Sequence, residues 1–272
     1  MRSFGSAILV LAAVLLAGTA ACGAWLAQNV VSAEGFARLA QPLGENQAFQ
    51  SELSAAVAEQ AGASSGLPDV IAQFIEPVVQ EVVSGIQQDP GYPGAWTQTL
   101  EQSHTATFDS GMPTLDLGPL LNLVGAGVAE KTGTDVPDAG SRPIALSSAD
   151  ASEQLAGLTR FADAWPMFAA AAVLAALLGL LVARRRSTTL ALIGAGAVGV
   201  GAALWLLAGV VPAVAERQAP SNPVASSFIT ALAPEAAAAF QAWLIPLMLG
   251  AAVLCVAGLV FRFAAGNRRR VR

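Results

Sequence analysis

Cysteine, histidine and charge are all scarce in this chain, and each scarcity removes a class of protein. Two cysteines, Cys22 and Cys255, offer no disulfide framework. Both fall inside apolar runs, Cys22 toward one end of its run and Cys255 near the middle of another, so a bridge between them is not expected. A single histidine, His104, brings no second imidazole or thiol at metal-site spacing and no neighbouring nucleophile. No Gly-x-Ser-x-Gly elbow, His-Glu-x-x-His pair or phosphate loop occurs anywhere. No catalytic, cofactor-binding or metal-ligating residue is therefore nominated, and enzymatic activity is not expected.

Charged residues make up only 12% of the 272 positions, against about 25% in soluble domains, while 54% are hydrophobic. Much of the chain is built for lipid. All 19 acidic residues lie within 34–163 or 216–235, and the remaining segments have none. Four charge-free apolar runs lie in or beside those segments, at about 4–29, 165–183, 189–211 and 240–261. Each approaches or exceeds the roughly 20 residues that cross a bilayer as a helix. The first is too long for the apolar core of a signal peptide and reads as an uncleaved anchor. The alternative is processing at the small residues 18–21, where Thr19-Ala20-Ala21-Cys22 is similar to a lipoprotein box apart from Thr19, which replaces its large aliphatic residue.

Basic residues flanking spans stay in the cytoplasm. Arg2, Arg184–Arg186, Arg262, Arg268–Arg270 and Arg272 crowd against span ends, whereas Arg38, Lys131, Arg142, Arg160 and Arg217 are scattered over the intervening segments. This pattern predicts cytoplasmic termini and a multi-pass protein of the plasma membrane. The organisation expected is a first span in 1–29, an acidic extracytoplasmic domain in 30–163, a second span and arginine turn in 164–187, and a third span in 188–211. An outer loop in 212–239, a fourth span in 240–262 and a basic tail in 263–272 complete it. Trp25, Trp165 and Trp243 fall near the outer span ends, as interfacial anchors do.

No Asp, Glu, Lys or His interrupts a span, which argues against an ion or proton pathway through this chain alone. Small residues recur every fourth position in the third span at Ala191, Ala195, Gly199 and Ala203. That seam predicts close helix packing within the bundle, with homo-oligomerisation through the same face as the alternative. Pro246 is expected to kink the fourth span.

The 30–163 region reads as amphipathic helices, so the fold class expected is mainly α, with four spans and a helix-rich domain carrying two short strands. After a short segment around Phe36 and Leu39, a helix over 46–62 places Phe49, Leu53 and Val57 on one stripe and Glu45, Glu52 and Glu59 opposite. The strongest pattern is 69–87, with Val70, Phe74, Val78, Val82 and Ile86 on one ridge and Pro77 within it. A turn at 89–94 leads to a helix with Trp96, Leu100 and His104 on one face, which makes His104 a packed or capped residue. Strand-like runs at 114–117 and 143–146 flank a helix over 119–131. Ser147, Ser148 and Asp150 can cap a last helix carrying Leu155, Leu158 and Phe161, which leads into the second span.

Residues 29–163 hold 17 acids and four bases, a formal charge of −13. Such a field repels nucleic acid and anionic headgroups and favours cationic partners or divalent ions, although Asp135-Val136-Pro137-Asp138 is too short for a calcium loop. On Trp96, Ser103-His104, the 115–117 strand with Pro119 and the 144–146 strand, the chain resembles a group of uncharacterised actinobacterial integral membrane proteins. The resemblance implies a cell-envelope setting and transfers no functional residue. The function expected is a non-enzymatic envelope protein that presents its extracytoplasmic domain to a membrane- or wall-associated partner, protein or lipid. The alternative is a sensor or transporter-accessory subunit that binds a lipid or small apolar ligand along the 69–87 helix.

Overall fold

The structure is a computed structural model that describes residues 2–64, 82, 85–133, 136–146 and 150–267. The chain forms two compact units. One comprises Met1–Gln28, Leu158–Val211 and Ala237–Arg272, the other Asn29–Gly157 and Pro212–Ala236.

The first unit is a bundle. Helix α1 (Arg2–Leu26) runs into a π-helical turn at Ala27–Val31. Numbering the helices in chain order, α7 (Trp165–Val182), α8 (Arg186–Ala208) and the part of α10 (Pro223–Asn267) from Ala237 onward complete the bundle. Four helical stretches are long and apolar enough to cross a membrane: Phe4–Val31, Trp165–Val182, Arg186–Arg217 and Pro223–Phe263. Helix is the form such runs must take in lipid, because it satisfies every backbone group within the segment. Pro234 and Pro246 each remove a backbone donor, yet α10 continues through both without interruption.

Packing follows small residues. Helix α1 lies along α7 and against α8, and Ser6 Oγ donates to the Gly179 carbonyl at 3.0 Å. Between α8 and α10 the backbones meet directly. A Cβ built on Gly194 would come within 2.6 Å of the Ala251 carbonyl oxygen, and one on Gly258 within 2.8 Å of Ala191 Cα.

This contact uses a different row from the predicted seam. Ala191 is buried, but Ala195, Gly199 and Ala203 are exposed, and the residues facing inward are Ala191, Gly194, Gly201 and Ala208. Each step of four residues advances about 40° around a helix, whereas alternating steps of three and four hold one face. A row at every fourth position therefore winds away from the neighbour it starts against.

The second unit is helical around a two-stranded sheet. Helix α2 (Ala33–Ala40) is capped by Ser32 Oγ, which accepts from the Gly35 amide at 3.2 Å. A 3-10 turn at Gln41–Glu45 contains Pro42, and α3 (Gln47–Ser64) starts where Asn46 Oδ1 accepts from the Phe49 amide. Helix α4 (Tyr92–Ser110) opens with Pro93 in its first turn and closes at Gly111, whose φ of +73° suits glycine at a helix C-terminus. Strand β1 (Thr114–Asp116) pairs antiparallel with β2 (Pro143–Ala145), with Leu115 opposite Ile144. Helix α5 (Gly118–Thr132) lies between them in sequence.

The core comprises Leu43, Phe49, Leu53, Trp96, Leu100, Leu115, Leu117, Leu120 and Val124 with their buried neighbours. Most of the 69–87 helix falls outside the described residues, as do the side chain of Val57, residues Ser147 and Ser148, and the terminal arginines from 268. Of the predicted ridge, Ile86 is in the core and Val82 packs against it. Asp150 does cap the next helix, α6 (Ser152–Asp163), by accepting from the Ser152 amide at 2.8 Å.

The segment read as an outer loop is largely helical. Val211–Arg217 forms α9, and α10 starts at Pro223. Val224, Phe228, Ala231 and Leu232, a helical stripe from that stretch, pack against the core of the second unit. Phe228 meets Phe49 edge-on with ring centroids 5.7 Å apart and Phe36 at 6.3 Å. This domain is thus assembled from two stretches of sequence.

Candidate functional site

The second unit contains a polar groove of about 710 Å³ whose walls come from three places. Helix α4 contributes Gln98, Glu101, Gln102, Thr105 and Asp109, the face opposite its buried Trp96–Leu100–His104 stripe. The N-terminus of α5 adds Gly118 and Asn122, and the loop before β2 adds Asp138, Gly140 and Ser141. Asp116 forms part of the lining, giving four acidic side chains and no basic one among the lining residues.

Asp116 holds this arrangement together. Only 2% of it is exposed, and a buried carboxyl group is costly unless its oxygens are bonded. Its Oδ1 accepts from the amides of Gly118 at 2.9 Å and Arg142 at 2.7 Å, and Oδ2 accepts a close hydrogen bond from Ser141 Oγ. Its own amide donates to Ser103 Oγ at 2.8 Å. One side chain therefore joins β1, α5 and the loop leading into β2. Gly118 is required beside it, because a Cβ there would collide with the Gly140 carbonyl.

At the rim, Asp138 is held below the usual carboxylate range, first by the Gly140 amide and then by Asn122. Asp150, outside the groove, is likewise lowered by the Ser152 side chain and amide. Away from the groove, the phenol of Tyr92 donates to Gln50 Oε1 at 2.6 Å, and Gln50 Nε2 donates to the Leu43 carbonyl at 2.9 Å. Burial pushes the Tyr92 phenol up to about 12, with the Gln50 contact opposing part of that rise.

Ser103 and His104 adjoin in sequence but form no catalytic pair. Ser103 Oγ donates to the Thr99 carbonyl. His104 is buried, stacks on Phe108 at 4.4 Å, and has its Nε2 2.9 Å from the Val30 carbonyl. It is the packed histidine that its helical position predicts. Among the described residues, no three His, Cys, Asp or Glu side chains converge to hold a metal ion. The groove can gather cationic groups through charge and acceptor oxygens.

The first unit has a crevice of about 560 Å³, lined by all four bundle helices and apolar throughout. It reaches from Ala24, Trp165 and Trp243 at one end to Val14 and Leu254 at the other. Trp243 Nε1 is buried without a hydrogen-bond partner.

No known family model, curated protein or solved structure matches the chain. The groove escaped sequence reading because Asp116 sits in an alternating run, where a charged residue is expected to face water. The signal that was available is the polar row Gln98, Glu101, Gln102, Thr105 and Asp109, which shares one helix face.

Proposed function

We propose that this chain is a non-enzymatic integral membrane protein of the cell envelope. Its acidic domain faces outward and engages a cationic segment of a membrane- or wall-associated partner. The observation that carries the reading is the groove of four acidic side chains with no basic residue in its lining, on a domain whose described segment charge is strongly negative. Low-dielectric walls around like charges focus the field and raise the local concentration of a cationic partner. The four apolar helices, free of Asp, Glu, Lys and His in their membrane runs, serve as a mount rather than a pathway. Most of the alternative ligand site along 69–87 lies outside the described residues.

The test is a photo-crosslinking residue in place of Gln102, which lines the groove and is exposed, in intact cells producing the full chain. A discrete adduct that weakens with rising salt, and that Glu101→Gln with Asp109→Asn abolishes, is expected. Recovery of monomer alone would reject the reading.

A further inference from the structure

The crevice between the bundle helices has the depth of a single leaflet. On α1 its lining runs from Val14 to Ala24, and on α10 from Leu254 back to Trp243. At 1.5 Å per residue these stretches measure about 15–17 Å, about half of the roughly 30 Å hydrocarbon thickness of a bilayer. Helices α7 and α8 agree in direction, since Trp165 and Leu204 lie at the tryptophan end while Val173 and Ala197 lie toward the other. Tryptophans favour the headgroup boundary, so the crevice descends from that boundary to the bilayer centre.

Its walls are alanine, glycine and aliphatic residues, with open space over Gly250, where an added Cβ would meet nothing within 4 Å. Water gains no partners in such a wall, and an unfilled gap would forfeit dispersion contacts along its whole lining.

We propose that this crevice is a binding site for one acyl chain of a phospholipid from the leaflet nearest Trp165 and Trp243. The site rests on the reading of the four helices as membrane spans and is independent of any partner of the acidic domain. Its occupant is selected by shape and depth. An apolar slot one leaflet long, open to the hydrocarbon and headed by a tryptophan pair, fits a chain whose headgroup stays at the interface.

The full chain, reconstituted in nanodiscs of equal parts palmitoyl-oleoyl phosphatidylglycerol and phosphatidylethanolamine, is released into native mass spectrometry. One phospholipid should remain on each chain after the others are stripped, and Gly250→Phe should lower its retention about tenfold. Ala169→Leu, a smaller filling change elsewhere in the lining, should lower it in the same direction. A phospholipid carrying a photoreactive group at its chain terminus should label Val14, which is only 5% exposed and shielded from surrounding lipid. Wild-type protein that strips bare with the bulk lipid overturns the proposal, as does equal retention in both filled variants or a lipid-free dimer. Failure of the span reading would look different, because the protein would not be recovered in nanodiscs at all.

Discussion

Replacing Phe228 with alanine should loosen residues more than 170 positions away in sequence. Phe228 comes from the start of α10 and packs against Phe49, which is 1% exposed, and Phe36. Truncating a fully buried phenylalanine costs about 3–5 kcal/mol. Phe228 is only partly buried, so about 2 kcal/mol is expected, including the aromatic contacts. Since about 1.4 kcal/mol is a factor of ten, amides in 43–53 that exchange through opening of this core should exchange about 30-fold faster. Hydrogen exchange on the full-length protein in detergent reads this directly. Ile229→Ala is the control, because Ile229 is 40% exposed on the same helix and should shift exchange little. A Phe228→Ala change below about twofold in 43–53 would refute the claim that the two segments share a core.

Three further outcomes follow from the geometry. Tyr92 is the only tyrosine, so phenolate absorbance titrates it alone. Its midpoint should lie near 12 in the folded protein and near 10 after unfolding. Because the folded value is the higher, this contribution to stability is complete below pH 10 and is lost as pH rises toward 12. Asp116→Ala leaves the Gly118 and Arg142 amides and the Ser141 hydroxyl without their acceptor. The Gly118 amide is the buried orphan, at about 1–3 kcal/mol, while the exposed Ser141 and Arg142 can turn to water, so the domain should lose about 2–3 kcal/mol in chemical denaturation, and loss below about 0.5 kcal/mol would contradict the knot. Gly258→Val drives a side chain into the α8 backbone at Ala191 and Ser187. It should lower the thermal midpoint in detergent, while Gly199→Val, where nothing lies within 4 Å, should not.

The four helices long and apolar enough to cross a membrane were legible because length and absence of charge are properties of a run and need no tertiary information. The same holds for Trp96, Leu100 and His104, whose spacing of four placed them on one buried face, and for the paired strands around α5. Two features depended on distant partners. Val224, Phe228, Ala231 and Leu232 have helical spacing, but nothing local identifies what the stripe faces. Asp116 is buried because its acceptors are satisfied by Ser141 and Arg142, about 25 positions away, together with Gly118. The small-residue row is not the seam packed within the bundle for a geometric reason: only Ala191 of its four members stays on the face buried against the neighbouring helix.

The central claim, a four-span protein whose two acidic segments share one side of the membrane, is tested most directly by cysteine labelling in intact cells. In a background with Cys22→Ala and Cys255→Ala, single cysteines replace Gln102, Gln218 or Ser187. A membrane-impermeant maleimide should label positions 102 and 218 at once, and position 187 only after permeabilisation. Labelling of 102 and 218 on opposite sides, or of 187 together with either in sealed cells, would contradict the account.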